Sequence, residues 1–434
     1  MKRLVTNLVL LASAIVSLPS VAQTPLSLRS AIDTALLRNL DIRIARNNLE
    51  ILRQENTFGM AGGMPVVTAT ASDVLSENNN WQKTNDQSES SVTGTGENAL
   101  SLGVNAGITL FSGLKVVATR ERLNLLESRG EIALNQQIQT VVAGVMLSYY
   151  DIIRQQNYLK IIRQSLEVSE QKYAIAEVRK NIGMADAVEY LQAATDLNSA
   201  RQQVVLQETM ISQSVNTLRN LINIGASTFV LTDTIAVGVM SEPDSVMASL
   251  KKNLQYLSAD TDVSVSTMLV KENRAGRYPS LRLNAGYDIY NNSFSKGALR
   301  ITRNYGPYAG IALQIPVFSG FVQHTRVKTA EIGLLNARLE KDVVLNNLTE
   351  SALNLLASYQ SSVRLIGEQR SNLAMTARLV DVVLKKYHLN EATILDVKAA
   401  QSSYEQAAYQ LINLIYAAKS AEIGLRQLTN SLTF

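Results

Sequence analysis

The sequence predicts an exported α+β protein that builds one unit twice, with very long helices and a few strands of strict apolar–polar alternation. Three observations carry this: two long proline-free stretches with coiled-coil spacing, short segments of strict apolar–polar alternation, and landmarks that recur about 207 residues apart.

With 434 residues, 46% hydrophobic and only 18% charged, the chain is not disordered, since disorder needs low hydrophobicity and high charge. It has no cysteine, which excludes a disulfide framework, a thiolate metal site, a cysteine nucleophile and a lipidated N-terminal cysteine. Its two histidines, His324 and His388, stand alone in helical surroundings and exclude a multi-histidine metal centre. The balance of 41 basic against 37 acidic residues gives no electrostatic case for nucleic acid.

The N-terminus reads as a signal peptide over residues 1–22. Lys2 and Arg3 precede the apolar run Leu4 to Leu18, and Ser20-Val21-Ala22 supplies the small-x-small cleavage pattern, so the mature chain is expected to start at Gln23. No other stretch reaches the roughly 18–20 apolar residues of a membrane helix, so any later membrane crossing must use strands.

No proline falls between Leu114 and Met240 or after Pro316, and both gaps are rich in Ala, Leu, Gln, Glu, Lys and Arg. Leu134, Ile138, Val141, Val145, Tyr149 and Ile152 step by three and four; so do Leu345, Leu348, Ala352, Leu355, Tyr359, Val363 and Ile366. Val397, Ala400, Tyr404, Ala408, Leu411, Ile415 and Ala418 repeat the rhythm. This is a coiled-coil seam. A helix from Leu114 to Ile182 would run on the order of 100 Å, beyond any single compact core.

The remaining segments alternate. Leu100, Leu102, Val104, Ala106, Ile108 and Leu110 interleave with Ser101, Gly103, Asn105, Gly107 and Thr109. Leu281 to Ile289 and Tyr305 to Val317 do the same, and Val67 to Ser72 is a weaker fourth case. The pattern fits a membrane β-barrel with Tyr287, Tyr290, Phe294, Tyr305 and Tyr308 as an aromatic girdle, and equally a soluble sheet with one wet face. Residues 73–98, rich in Asn, Ser, Thr and Gly, read as a long strand–strand loop.

Phe111-Ser112-Gly113 recurs as Phe318-Ser319-Gly320, and at the same offset of 207 Glu189 meets Asp396 and Ala193 meets Ala400. Upstream the offset is 214: Asn39-Leu40 meets Asn253-Leu254, and Pro65 meets Pro279. The chain is thus expected to be a tandem repeat, residues 23–235 and 236–434, each helix–strand–strand–helix–helix. Four strands cannot close a membrane barrel, and an open sheet edge cannot face lipid. Membrane strands would therefore require several copies to share one barrel, with two, three or four giving eight, twelve or sixteen strands.

These features resemble the outer-membrane efflux protein family, the TolC-like channels, over essentially the whole mature chain. The opening pattern stands as Leu28-x-x-Ala31-Ile32-x-x-Ala35-Leu36-x-x-Asn39-x-x-Ile42. The strand-to-helix motif stands twice, as Leu110-Phe111-Ser112-Gly113 and Ile315-Pro316-Val317-Phe318-Ser319-Gly320, and the hairpin tip twice, as Gly183 to Ala194 and Asn390 to Gln401. The resemblance implies a membrane α+β fold: a homotrimer whose twelve-stranded β-barrel in the outer membrane, four strands per chain, continues as an α-helical coiled-coil barrel in the periplasm. It implies a passive exit duct for efflux or type I secretion, partnered by a periplasmic adaptor protein, an inner-membrane transporter and outer-membrane lipid, with no cofactor.

Residue roles follow from the same resemblance. Glu189 and Asp396 match acidic positions just past the tip turns, where three chains would form carboxylate rings that favour cations and raise one another's pKa; as plain helix N-terminal acids they would only favour the dipole. Tyr387 matches a constricting aromatic of the closed aperture. Lys180, Gly183, Met184, Asn390 and Glu391 occupy the tip that would face the adaptor. Lys180 stands where relatives often carry an aromatic, and Asn390 where they carry glycine, although Asn still permits a left-handed turn. At the junctions Phe111-x-Gly113 and Phe318-x-Gly320, the glycines let the chain bend from strand into helix. No catalytic constellation is present: the Ser-rich stretch 88–93 has no histidine nearby, and Gly94-Thr95-Gly96 lacks the lysine of a phosphate loop. The rival reading is a soluble periplasmic coiled-coil scaffold. Neither reading discriminates drug, metal or protein cargo.

Overall fold

The structure is a computed structural model that describes residues 24–184, 186–225, 228–238, 243–297 and 299–432. The predicted signal peptide, 1–22, lies outside the described residues. In chain order the elements are β1 (Thr24–Leu26), α1 (Leu28–Arg38), α2 (Leu40–Glu55), β2 (Val66–Lys83), β3 (Glu89–Ser112), α3 (Lys115–Asn181) and α4 (Ala187–Ile222). Then follow β4 (Phe229–Leu231), α5 (Pro243–Ser249), a 3-10 turn (Leu250–Lys252), α6 (Leu254–Ala275), β5 (Ser280–Phe294), β6 (Ile301–Gln314), α7 (Val322–His388) and α8 (Ile394–Leu428). Among the described residues no helix is long and apolar enough to cross a membrane.

The chain divides into two compact units. The first holds Met1–Arg46, Ala133–Leu257 and Val344–Phe434 and is almost wholly helical. Its seam residues are the expected ones: Val141, Val145, Tyr149 and Ile152 pack with α1 and the end of α4, while Leu348, Ala352 and Tyr359 pack with Val246, Leu250 and Leu425. A parallel ladder pairs β1 with β4, a contact with no alternation to announce it. The recurring Asn-Leu pair marks a helix break each time. The buried Asn39 amide donates to the Leu221 carbonyl (2.8 Å), and that of Asn253 donates to the Leu428 carbonyl (2.9 Å). Each Asn side-chain oxygen also caps the following helix, accepting from the Ile42 and Gln255 amides respectively. Asp233 accepts from the Leu28 amide (2.7 Å) and the Tyr149 hydroxyl (2.8 Å), and burial, with this carboxylate, pushes Tyr149 up to about 12.

The second unit, Asn47–Ile132 and Ser258–Val343, contains a four-stranded sheet in the order β2-β3-β5-β6, with every pairing antiparallel. Register explains its two faces, because directly paired residues share a face. Ile108, Leu283 and Ile311 align in one row, Leu102, Ile289 and Tyr305 in another, and Val104, Tyr287 and Pro307 between them. The opposite face carries Asn105, Gly286 and Tyr308, then Gly103, Asp288 and Gly306. The apolar rows are exposed, with Tyr305 at 69% and Ile311 at 67%; a contiguous apolar face of this size needs lipid or protein against it.

The expected loop at 73–98 is a correction. It is strand to Lys83 and again from Glu89, closed by a short turn at 84–88. Polar composition suggested a loop, but cross-strand pairing decides strand identity here. Asn78 donates to Glu97 (2.9 Å), the Asn79 side-chain oxygen accepts from the Gly94 amide (2.7 Å), and Lys83 pairs with Glu89 (2.8 Å). A bulge between Asn78 and Asn80 absorbs the irregularity.

A glycine stands in the left-handed region at each strand-to-helix junction. Gly113 has φ +64° and Gly320 φ +59°, and Leu114 (+65°) and Phe321 (+62°) follow in the same left-handed region. At Gly113 a Cβ would also lie 2.6 Å from the Ala275 carbonyl oxygen, whereas around Gly320 the space is open. Phe111 and Phe318 are both exposed, and Phe318 stands edge-on to Phe321 with centroids 5.5 Å apart.

Candidate functional site: the tip of the helical hairpins

Both long helices end in the same way. The Gly183 amide donates to the Lys180 carbonyl and the Met184 amide to that of Arg179; the Asn390 amide donates to the Tyr387 carbonyl and the Glu391 amide to that of Lys386. This is a Schellman-type stop, which places its penultimate residue in the left-handed region. Gly183 sits at φ +74° and Asn390 at +66°. No atom crowds Gly183, so conformation alone calls for glycine there.

The returning helices also start alike. Asp186 caps α4 by accepting from the Glu189 amide (2.8 Å), and Thr393 caps α8 by accepting from the Asp396 amide (3.2 Å). Glu189 and Asp396 therefore hold the same third helical position, yet they do different work. Asp396 closes a capping box, accepting from the Thr393 amide (2.8 Å) and hydroxyl (2.7 Å). Those bonds, the backbone one first, hold its carboxyl below the usual aspartate range. Within one chain this direction is opposite to the upward push expected of a carboxylate ring, because donation to the charged form outweighs the small cost of desolvation.

Glu189 reaches across to the other hairpin. Its Oε1 accepts from the Tyr387 hydroxyl at 2.6 Å and pairs with Arg179 Nη1 at 3.2 Å. The Arg179 guanidinium stacks on the Tyr387 ring, 4.5 Å from its centroid, and Nη2 donates to the Tyr387 carbonyl. Tyr387 is fully buried; burial first, and the Glu189 hydrogen bond second, push its hydroxyl well above the ordinary tyrosine value. Arg179 was not among the residues singled out from the sequence. It is one of two consecutive cations in the last helical turn, a common dipole-favouring pattern that does not mark a latch.

Beside this latch is a recess of about 530 Å³, lined among others by Arg179, Glu189, Gln192, Asn390, Glu391 and Asp396. It gathers four of the predicted tip residues. Lys180 points elsewhere: its ammonium lies 4.0 Å from the Tyr190 ring centroid, and the Tyr190 hydroxyl meets that of Tyr173 at 3.0 Å. Met184 is exposed at the turn. The set offers no paired nucleophile and base. It offers a charge-assisted contact between two helical hairpins.

The Outer membrane efflux protein family model matches residues 31–223 and 247–431. The chain belongs to this family. Among its relatives, Outer membrane protein TolC of Vibrio cholerae is 23% identical over 352 residues, covering 77% of each chain. The Pyoverdine export outer membrane protein OpmQ of Pseudomonas aeruginosa is 24% identical, covering 92% of this chain and 84% of its own. Among solved structures, CusC superposes with a TM-score of 0.76 at 19% identity, covering 96% and 95% of the two chains, and VceC of Vibrio cholerae with 0.74 at 17%, covering 93% and 95%. The protein is an outer-membrane efflux channel of the tripartite type, seated in the outer membrane and extending into the periplasm. Its family members work with adaptor proteins and inner-membrane pumps.

Proposed function

We propose that three copies of the chain close one twelve-stranded barrel and form a passive, gated exit duct with no chemistry of its own. One observation carries this reading: a four-stranded antiparallel sheet with an exposed apolar face, whose outer strands β2 and β6 each pair on one side only. Open edges have no place in lipid, so neighbouring copies must pair them; the number three comes from the family resemblance. Helical surfaces agree. Ile332, Leu335, Leu339 and Val343 form an exposed apolar stripe along α7, and Leu40, Ile44 and Ile51 another on α2, each suited to a helix of a second copy.

The two repeats, 23–235 and 236–434, each run helix, helix, strand, strand, long helix, returning helix, apart from the short β1 and β4. The matched Asn39–Leu221 and Asn253–Leu428 bonds support common descent of the halves. At rest the Arg179–Glu189–Tyr387 latch holds the end of α7 against the first hairpin. An adaptor engaging Lys180, Gly183, Met184, Asn390 and Glu391 releases it. Cargo then passes through the lumen, with Glu189 and Asp396 biasing ion passage. Relatives are named for pyoverdine, cations and toluene, and a wide duct leaves that choice to the transporter. Planar-bilayer conductance of the detergent-extracted protein, with its mass from light scattering, tests the reading. Small cation-selective channels from a trimer-sized particle are expected; a soluble monomer without conductance refutes it in favour of the periplasmic scaffold.

A further inference from the structure

The two free edges of the four-stranded sheet carry opposite charge. Directly paired residues run in rows across it, and one row joins Asp73 of β2, Leu100 of β3, Asn291 of β5 and Arg303 of β6. On the apolar face, the β2 edge runs Val67, Ala69, Ala71 and then Asp73, Leu75 and Glu77. The β6 edge runs Leu313, Ile311, Ala309, Pro307, Tyr305 and then Arg303. Toward the hairpin turns, then, β2 becomes acidic and β6 basic. Glu77 is exposed and, among the described residues, has no ion-pair partner. Arg303 is exposed too; its Nε donates to Asn291 (3.1 Å), and it makes no ion pair within the chain. On the opposite face of β6, the space where a Cβ would stand at Gly306 and at Gly310 is open.

In a closed barrel a row that leaves β6 continues onto β2 of the next copy, displaced along that strand. The displacement must be even, or lipid-facing side chains would turn into the lumen. With strands about 4.8 Å apart and about 3.3 Å per residue, four residues over four strands tilt them by about 35° and six by about 46°. Two or eight would give about 19° or about 54°, outside the roughly 35–45° of membrane barrels. Strand length fixes the direction, since a displacement of four the other way would leave residues 307–314 of β6 beyond the start of β2. Of the two that remain, four makes the edges coextensive. Gln314 then meets Val66 and Thr302 meets Asn78, so the β2 bulge between Asn78 and Asn80 stays outside the ladder, whereas six would carry the ladder across it. Four also sets Arg303 opposite Glu77 and Tyr305 opposite Leu75, and it brings Val74 and Thr70 to the open space at Gly306 and Gly310.

We propose that the seam between copies closes in this register, β6 of one copy antiparallel to β2 of the next, and that each seam carries an Arg303–Glu77 ion pair on its lipid-facing side toward the hairpin turns. The inference rests on the shared-barrel reading above. Opposite charges directly across a ladder favour the pairing, and like charges oppose it. The same residues therefore act against the wrong assembly. β2 against β2 would gather the Asp73 and Glu77 carboxylates of both copies, and in β6 against β6 both Arg303 guanidinium groups would lie on one seam, with Pro307 unable to donate to the ladder. Edges that reject themselves and accept each other favour a head-to-tail ring.

The absence of native cysteine makes trapping direct. Two cysteine pairs report the four-residue register: Ala71→Cys with Ala309→Cys on the lipid-facing side, and Thr70→Cys with Gly310→Cys on the other. Successive pairs alternate between hydrogen-bonded and non-hydrogen-bonded, so one of the two has the closer approach of side chains. Asp73→Cys with Ala309→Cys, and Ser72→Cys with Gly310→Cys, report the six-residue register. Within one chain each pair stands on the two outermost strands of the sheet, beyond disulfide reach, so a bridge forms only between copies. The full chain is oxidised in outer membranes with copper phenanthroline, covalent oligomers are read on denaturing gels, and the mass of the extracted particle comes from light scattering. The four-residue pairs should give at least about tenfold more covalent oligomer than the six-residue pairs, because only opposed positions meet the disulfide geometry. An excess from the six-residue pairs, or no bridge from either set in a trimer-sized particle, overturns the register. Glu77→Arg and Arg303→Glu should each lower the temperature at which the oligomer dissociates in detergent, and the two together should restore it; no restoration overturns the ion pair. A monomeric native particle would instead count against the shared barrel itself.

Discussion

Tyr387→Phe is the smallest perturbation that isolates the latch. It removes one hydroxyl and keeps the ring on which Arg179 stacks, so packing and the 4.5 Å cation–π contact remain. Glu189 is not orphaned, because its Oε1 still pairs with Arg179 at 3.2 Å. What is lost is one short hydrogen bond, 2.6 Å, from a buried hydroxyl to a carboxylate. Bonds of this charged kind contribute about 1.5–3 kcal/mol. If the bond exists only in the closed state, its loss shifts the closed-to-open ratio by about tenfold to a hundredfold per chain, taking 1.4 kcal/mol as a factor of ten. Arg179→Gln removes the ion pair, the bond to the Tyr387 carbonyl and the stacked cation together, so its effect should be the larger. Single-channel recording in a planar bilayer reads both. Expected are longer and larger openings in the order Arg179→Gln, then Tyr387→Phe, then the native chain. Equal open probability for the native chain and Tyr387→Phe, in particles of unchanged mass, would refute the latch.

Further outcomes follow from the same geometry. Asp396→Ala should lower cation preference without preventing assembly, and an unchanged reversal potential in a salt gradient would sink the claim that this acid biases the pore. Gly113→Ala should cost more thermal stability than Gly320→Ala: both pay about 1–2 kcal/mol for a left-handed residue, but only the first also drives a Cβ to 2.6 Å from the Ala275 carbonyl oxygen. Lys172→Met, which removes a buried partner of Asp196, should destabilise, but by less than the roughly 3–5 kcal/mol of an orphaned buried charge, because Asp196 keeps its pair with Lys398, with thermal melting in detergent as the check. For Asp196, burial pushes the carboxyl up, but Lys172 and Lys398 outweigh it and leave the group below its ordinary value. A depressed carboxyl contributes stability above its unfolded pKa and loses it as pH falls through the lower folded value. Acid unfolding measured below about pH 4 should therefore be shallower in Asp196→Asn than in the native chain.

Periodicity made the long helices legible because their burial is periodic. Val397, Ala400, Ala408 and Ala418, read as a seam, are all buried. The strands around Leu102 and Leu283 were legible for the same reason: one face is apolar and the other is not. Where both faces are polar, alternation carries no signal, so residues 73–83 and 89–98 looked like loop and proved to be strand. The β1–β4 ladder is three residues long on each side, too short for any pattern. The latch was half legible. Glu189 and Tyr387 were named, but Arg179 joins them through a contact spanning 208 residues of chain, and nothing local marks it out from its neighbour Lys180.

The offset of 207 also explains why the latch is lopsided. It aligns Arg179 with Lys386, Lys180 with Tyr387, Gly183 with Asn390 and Glu189 with Asp396. Backbone features recur at these pairs: the same Schellman stop, the same left-handed residue and the same acid at the third helical position. Side-chain work does not recur. Asp396 accepts both Thr393 bonds at its Oδ2, whereas Asp186 takes the capping duty in the first hairpin and leaves Glu189 free to reach Tyr387. A repeat that kept Thr at position 186 would draw Glu189 back into a capping box and leave Tyr387 without its acceptor. The division of labour between Asp186 and Glu189 is therefore what lets this helix start make a contact from one hairpin to the other.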